Sequence, residues 1–488
     1  MTLRELLEGL PALALTGGTN VEVGGIAYDS RAVRPGDLFA ALRGTRLDGF
    51  AFVPEAVGRG AAAVLSDRPR PENIEVAWVQ VFNPREALAF LAANLYGHPA
   101  RKMKVVGITG TKGKTTTSFI LESVLQAAGF TTAVLGTINY RGPGFAREAA
   151  RTTPEAPDLQ RMLADLLGRG VTHCVMEVSS HALDLKRVWG VSFDVAVFLN
   201  LSGEHLDYHH TMEEYFEAKK KLFSLNAKKR TAVVNEDDSW GRKLIAELPM
   251  NTITFGFEPS ALVRAERFRT NGAGIEASVR FPGGQTTITS ALSGKHNLSN
   301  VLAAFAVALA LNVPPQAVKA GIAAVKGIPG RFEKVENGLG FGVYVDYAHT
   351  DASLRSLLEM TREMKPGRII LVFGAGGDRD RTKRPRMGEV AGQLADWTIL
   401  TSDNPRSEDP RSILREIEQG FLLANSKKYE IVPDRREAIA RALAFAKKGD
   451  IVLIAGKGHE TYQEIGTAVL PFSDVEVAAE ILASMGGK

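Results

Sequence analysis

"VVGITGTKGKTTT", Val105 to Thr117, joins an apolar run to a helix-forming stretch, and its residue types suit phosphate. Gly110 and Gly113 let backbone N–H groups close around phosphate oxygens. Lys114 supplies a point charge toward the β and γ phosphates, and the Thr115 hydroxyl can reach magnesium. The usual spacing puts glycine at position 108, where this chain has Ile108, so the loop is a variant of the Walker pattern. Glu177 in "MEVSSH" and His205 in "GEHLDYHH" each follow an apolar run. A carboxylate and an imidazole at one sheet edge could hold magnesium over the phosphates, although singly a buried Glu is usually paired and an isolated His usually a filler. "HLDYHH" hints at zinc, but no matching partner set accompanies it. Arg406 follows a rigid Asp-Asn-Pro turn in "TSDNPRSEDP". It is either a solvated loop charge or a fork for a small carboxylate, and the residues alone leave both open.

These groups need a scaffold, and the hydrophobic pattern predicts an α/β one in three segments, 1–98, 99–329 and 330–488. The first has short strand-like runs, "AAAVLSD" and "EVAWVQV", and the punctuated stretch "YDSRAVRPGDLFAALRGTRLDG". The second alternates strands ("MKVVGITG", "TTAVLGT", "THCVMEVSS", "FDVAVFLNLS") with helices, as a parallel sheet requires. Its helix "TMEEYFEAKKKLFSL" has Thr211 and Glu214 at capping-box spacing. The third holds "RIILVFGAGGDRD", "WTILTSDNPR" and "DIVLIAGKGHE", strands that end in polar loops at a shared carboxyl edge, where ligands bind.

The bulk numbers exclude several classes. With 488 residues, 45% apolar and 23% charged, the chain is an ordinary globular protein too long for one core. A formal charge of +4, dispersed among acidic residues and lacking aromatic platforms, gives no nucleic-acid footprint. Cys174 is the single cysteine, so no intrachain disulfide forms; within "VTHCVMEV" it reads as a small buried hydrophobe. The amino-terminus lacks a signal-peptide pattern, and no run approaches about 18 uninterrupted apolar residues. A cytoplasmic protein without membrane insertion is expected.

"GTKGKTTT", "EVSSHALDLKR", "NLSGEHLDYHHTMEEYFEAKKKLF", "GKHNLSN", "PGRFE", "DYAHT" and "GKGHE" occur here in one order. That series closely resembles the Mur ligase family, the ATP-dependent amide-forming enzymes of peptidoglycan precursor synthesis. "YDSR", "RTTP" and "DNPR" narrow the resemblance to members that add meso-diaminopimelate to UDP-MurNAc-L-Ala-D-Glu.

The resemblance implies an N-terminal UDP-binding domain, a central parallel-sheet P-loop ATPase domain and a C-terminal Rossmann-like domain for the amino acid. It implies that a substrate carboxylate is phosphorylated by ATP and the acyl phosphate is then attacked by an amine. Gly110, Thr111, Lys112, Gly113, Lys114, Thr115 and Thr116 would hold ATP, joined by Asn297, Arg331, Asp346 and His349. Thr115, Glu177, His205 and Lys219 would surround Mg2+, Lys219 as a carbamate formed with carbon dioxide. Without the resemblance, Lys219 is one more charge on a helix face.

Tyr28, Ser30, Thr45, Arg46 and Leu47 would take the nucleotide-sugar, with Thr152, Thr153, Ser179 and Arg187 along the peptide. Arg379, Asp403, Asn404, Pro405, Arg406, Gly456 and Glu460 would take diaminopimelate, Arg406 gripping the carboxylate that lysine lacks. Leu185 and Asp351 stand where relatives often carry glutamine and proline. A monomer is expected. The rival expectations are a lysine-adding member, another carboxylate–amine ligase such as a folylpolyglutamate synthase, and a P-loop ATPase or binding protein that makes no bond.

Overall fold

The computed structural model describes residues 1–44, 47–225, 231–248, 251–271 and 274–486. Two compact units emerge: Met1–Phe268 with Glu276–Thr289 and Lys295–Ala324, and Arg269–Ile275 with Ser290–Gly294 and Val325–Lys488. Among the described residues no helix is long and apolar enough to cross a membrane.

The first unit begins with a five-stranded sheet: β1 (Ala14–Thr16), β2 (Gly25–Ala27), β3 (Asp37–Ala40), β4 (Ala63–Ser66) and β5 (Ala77–Gln80), in the order β1-β5-β4-β3-β2. All pairs are parallel except β1–β5. Leu38, Ala40, Leu65 and Val79 pack on one face, and Phe39, Val64 and Trp78 on the other. That period-two alternation, apolar on both sides, marks a doubly covered sheet.

The central sheet comprises β6 (Lys104–Thr109), β7 (Thr132–Leu135), β8 (Asn139–Gly142), β9 (Phe145–Glu148), β10 (His173–Glu177), β11 (Val195–Phe198), β12 (Thr231–Asn235), β13 (Asn251–Gly256), β14 (Val263–Asn271), β15 (Gly274–Phe281) and β16 (Gly284–Ser290). Their order is β16-β15-β14-β13-β12-β11-β6-β10-β7-β8-β9. The stretch from β13 to β7 runs parallel, and β7–β8–β9 is an antiparallel extension that the sequence pattern did not announce. β6 lies between β10 and β11, so successive connections leave it toward opposite sides. That is the switch point where a crevice opens at the carboxyl edge. Cys174 is fully buried in β10, and burial pushes its thiol up to about 12. It is a packing residue.

The second unit carries β17 (Glu333–Lys334), β18 (Gly342–Asp346), β19 (Ile369–Phe373), β20 (Trp397–Leu400), β21 (Tyr429–Ile431) and β22 (Ile451–Ala455), in the order β17-β18-β22-β19-β20-β21. A separate hairpin follows, β23 (Tyr462–Ile465) with β24 (Ala468–Pro471). Ile369, Leu371 and Phe373 enter one core while Ile370 and Val372 enter the other, so helices cover both faces. The loops after β18, β22, β19 and β20 therefore line up along one edge.

Arg435 fixes that edge from beneath. Its guanidinium is fully buried, donates to both Asp474 oxygens at 2.7 Å, and also reaches the carbonyls of Ser402 (3.2 Å) and Ala455 (3.0 Å). Those carbonyls lie just after β20 and at the end of β22. Asp474→Ala leaves the guanidinium buried and uncompensated, at a cost of about 3–5 kcal/mol in denaturant-measured stability, whereas the double change Arg435→Met/Asp474→Leu recovers most of it. Equal losses in the single and double variants would contradict this account.

Candidate active site

β6 ends at Thr109 and the loop Gly110–Gly113 leads into helix Lys114–Ala127. The helix begins at Gly113, at φ 88°, with no side-chain cap. Its first-turn N–H groups have no acceptor within the helix, which suits an anion. Asn200, just past β11, holds the loop's shape: its carbonyl accepts from Thr111 N–H (3.0 Å), its Oδ1 from Lys112 N–H (2.9 Å), and its Nδ2 donates to the Lys112 carbonyl (3.1 Å). Lys114 Nζ folds onto the Gly110 and Thr111 carbonyls at 2.9 Å each. Ile108 is an ordinary strand residue, opposite Glu177 on β10 and Val197 on β11. The strand here runs through the position where other phosphate loops bend.

Glu177 closes β10, so this register brings its carboxylate beside the loop. Its Oε2 accepts from Thr115 Oγ1 (3.0 Å) and Thr137 Oγ1 (2.8 Å), and its Oε1 from Thr137 N–H (3.0 Å). A Cβ on Gly136 would lie 2.3 Å from Oε1, so only glycine permits this seat. A buried carboxylate with hydroxyls around it is the hard-oxygen set that Mg2+ prefers, and these residues fit that ion. Among the described residues no three His, Cys, Asp or Glu side chains gather as a metal cage, so the zinc hint in "HLDYHH" finds no support in the geometry. Mg2+ usually keeps several waters and needs no such cage.

Lys219, on helix Met212–Ser224, is 1% exposed. Its Nζ donates to the Gly110 carbonyl at 2.9 Å and stands 4.5 Å from the Tyr215 ring centroid. Burial, then the neighbouring Lys114 charge, holds its ammonium well below the usual lysine range. The amine is thus easily neutral. The helix is capped by Thr211, which accepts from Glu214 N–H at 3.1 Å, the forward half of the expected box. His205 caps helix Leu206–His209 at φ 58°, its ring 4.9 Å from His181. Burial and the nearby His181, Lys114 and Lys219 lower its pKa, although solvent at its exposed edge softens the effect.

Thr152 Oγ1 lies 3.2 Å from Thr137 Oγ1. Thr153 Oγ1 donates to the Glu177 carbonyl (2.9 Å) and accepts from Ser179 N–H (3.1 Å), and its own carbonyl accepts from buried Arg187 (3.3 Å). These groups form one chain from the phosphate loop to Arg187. Leu185 ends the short helix Ser180–Asp184 that Ser179 caps. On the first sheet, Tyr28 donates to Asp158 (2.6 Å) across to the central domain and Ser30 to Glu55 (2.8 Å), while Leu47 is exposed. Thr45 and Arg46 lie outside the described residues. Asn297 accepts from Asn300 Nδ2 (3.2 Å), and Asn300 in turn accepts from Thr117 Oγ1 (3.4 Å) beneath the loop.

In the second unit, Asp346 accepts from Phe332 N–H (2.7 Å) and Ala348 N–H (2.9 Å), and Arg331 stacks 4.9 Å from the Tyr347 ring, which also borders His349. Asp351 starts a helix behind the Thr350 capping box. Asn404 is buried and gathers the rest: it donates to Glu460 (2.9 Å) and accepts from Lys457 Nζ (3.0 Å) and Glu464 N–H (3.0 Å). Burial pushes the Glu460 carboxyl up against the pull of Lys457. Gly456 sits against Asp403, where a Cβ would lie 2.5 Å from Oδ2. Arg406 is no solvated loop charge. Its Nη1 donates to the Gly377 carbonyl (2.9 Å) and its Nε lies 2.5 Å from Glu464 Oε2. Arg379 remains exposed nearby, its Cγ 3.7 Å from where a Gly376 Cβ would stand.

Sequence reading passed over Thr137, Asn200, Tyr215, Lys457 and Glu464. "LGT" after a strand was the available signal for Thr137, and the lysine inside "GKGHE" for Lys457; Asn200, Tyr215 and Glu464 stand in no motif.

Three family descriptions match the chain: the Mur ligase family catalytic domain over residues 22–96, the Mur ligase middle domain over 108–308, and the Mur ligase glutamate ligase domain over 330–458. A protein of Solibacter usitatus named UDP-N-acetylmuramoyl-L-alanyl-D-glutamate–2,6-diaminopimelate ligase is 45% identical over 98% of this chain and 96% of its own. One of the same name from Gloeobacter violaceus is 46% identical over 95% and 94%. A solved structure with that title aligns at a TM-score of 0.71 and 31% identity, over 100% of this chain and 99% of its own. The chain belongs to the Mur ligase family.

His209 provides a pH handle. It is buried, its Nε2 lies 2.9 Å from Ser180 Oγ, and its ring stacks on Tyr215. Burial, then the nearby His181, pushes it down to about 4, so the folded protein binds this proton less readily than the unfolded chain. Stability therefore rises with pH through this window, and up to about 2 kcal/mol is lost between pH 7 and pH 5. Denaturant titrations at the two pH values should show that loss shrinking in His209→Gln; an unchanged slope removes His209 as the source.

Proposed function

We propose that this chain is an ATP-dependent ligase that joins meso-diaminopimelate to UDP-MurNAc-L-Ala-D-Glu in peptidoglycan precursor synthesis. The observation that carries the reading is the pairing, within the second unit, of a pinned guanidinium, Arg406, with a half-buried carboxylate, Glu460, through Asn404 and Glu464. The far end of diaminopimelate presents a carboxylate and an ammonium together. Lysine has only the ammonium, and would leave the guanidinium unmatched. The full-length likeness to ligases named for that amino acid supports the same substrate.

Residues 1–98 take the nucleotide-sugar through Tyr28, Ser30 and Leu47, with Thr45 and Arg46. Residues 99–329 take ATP, and 330–488 take the amino acid. Thr152, Thr153, Ser179 and Arg187 orient the dipeptide, and Arg379, Asp403 and Gly456 complete the amino-acid site. Asn297, Arg331, Asp346 and His349 serve the nucleotide. The protein works as a cytoplasmic monomer.

Thr115, Glu177 and His205 would hold Mg2+, which when bound would neutralise charge as a carboxylate approaches the γ-phosphate. Lys114 holds the phosphate end, and the loop N–H groups from Gly110 onward orient it. A dipeptide carboxylate oxygen attacks the γ-phosphorus, the bond to ADP breaks, and an acyl phosphate forms. The amine of diaminopimelate then attacks the acyl carbon, inorganic phosphate leaves, and the nitrogen loses a proton to give the amide. Lys219, its amine buried and 2.9 Å from the Gly110 carbonyl, would take carbon dioxide and lose a proton to become a carbamate, an anionic end that could serve a metal ion.

Incubation with UDP-MurNAc-L-Ala-D-Glu, ATP and either amino acid should give the tripeptide product with diaminopimelate far in excess of lysine. Arg406→Ala should raise the KM for diaminopimelate roughly a hundredfold with the KM for ATP unchanged. ATP turnover that ignores both amino acids defeats the reading in favour of an ATPase without bond formation. Lys219→Ala should lower kcat roughly a thousandfold, with partial rescue by short carboxylic acids. Full activity in that variant removes the carbamate.

A further inference from the structure

Arg406 adopts φ 52°, a left-handed conformation unusual for a side chain with a Cβ. Such a residue persists where its surroundings over-determine it. Here its N–H donates to the Glu464 carbonyl (3.0 Å) and its carbonyl accepts from Gly466 N–H (2.8 Å), tying the loop after β20 to the β23–β24 hairpin. The loop after β19 closes the third side. Gly377 N–H donates to the Asn404 carbonyl at 2.9 Å, and a Cβ on Gly377 would lie 1.9 Å from the Pro405 carbonyl oxygen. The Gly377 carbonyl that receives Arg406 Nη1 is therefore a fixed point.

A guanidinium carries five N–H donors, on Nε, Nη1 and Nη2. Glu464 Oε2 lies 2.5 Å from Nε as an ion-pair partner, out of line for a hydrogen bond, and the Gly377 carbonyl takes one N–H of Nη1. Nη2 makes no contact with either group and is left to lead a bidentate approach to a carboxylate. The Gly377 acceptor and the Glu464 charge both come from elements other than Arg406's own loop, so the guanidinium is held before any ligand arrives.

We propose that Glu464 is a positioning residue for the amino-acid site: its carboxylate, paired by charge with Arg406 beside Nε, turns the guanidinium toward the distal carboxylate of the substrate. This rests on the reading of the chain as a diaminopimelate-adding ligase. With Glu464 shortened or removed, the guanidinium turns about its stem, and the preference for a dicarboxylic diamine over lysine falls.

Steady-state kinetics on the full chain test this, with diaminopimelate, lysine and ATP each varied. Glu464→Ala and Glu464→Asp should raise the KM for diaminopimelate about tenfold, leaving kcat within about twofold and the KM for ATP unchanged. Glu464→Gln keeps the shape but removes the charge that pairs with Arg406, and should be impaired about as much as Glu464→Ala. A KM for diaminopimelate that is unchanged or lower in Glu464→Asp overturns the proposal, as does a Gln variant that matches the natural protein. So does a fall in kcat shared by every substrate and accompanied by a lower Tm, the signature of a merely structural residue. A natural protein that never joins diaminopimelate defeats the parent reading instead, and the two failures are thereby distinguishable.

Discussion

A carboxylate buried at the end of a parallel strand must be fed with donors, and the seat of Glu177 organises everything around it. Two threonine hydroxyls and one backbone N–H converge on its oxygens, one hydroxyl coming from the phosphate-loop helix and the other from the turn after β7. An uncompensated charge in that position would cost several kcal/mol. The three strands β6, β7 and β10 are therefore coupled at their carboxyl ends through one side chain. Thr153, bonded to the carbonyl of the same residue, extends the coupling to Ser179 and Arg187.

The second unit solves a different problem with backbone. Four loops share an edge, and their mutual spacing is set by close approaches and by carbonyls fixed on buried cations. Arg435 beneath and Lys457 within are both fully buried, and each spends its hydrogen bonds joining loops rather than meeting solvent. A scaffold held this way gives a guanidinium and a carboxylate constant separation, and the proposed discrimination between similar amino acids relies on that constancy.

Much of this was legible beforehand because it is carried by local pattern. β6, β10, β19 and β22 are continuous apolar runs, and a strand covered on both faces has no other way to be written. The phosphate loop was legible from glycine, lysine and threonine spacing, and the motif order carried the family. The β7–β8–β9 extension was hidden, since four-residue strands such as Asn139–Gly142 and Phe145–Glu148 leave no stable period to read. The partners of the site were hidden for a related reason. Asn200 and Glu464 act through strands or hairpins far away in sequence, and nothing in their neighbours' types announces the contact. Arg406 was ambiguous by itself, and the contacts with Gly377 and Glu464 that take it out of the solvated class are visible only in the fold.

The solitary thiol of Cys174 has a practical corollary. Sealed within β10 and held in its protonated form at neutral pH, it offers no thiolate to an alkylating reagent. The natural chain is thus already a blank background for site-directed labelling. A cysteine introduced on the β23–β24 hairpin would be the sole reactive handle, ready for a fluorophore or spin probe without first stripping the native sulfur.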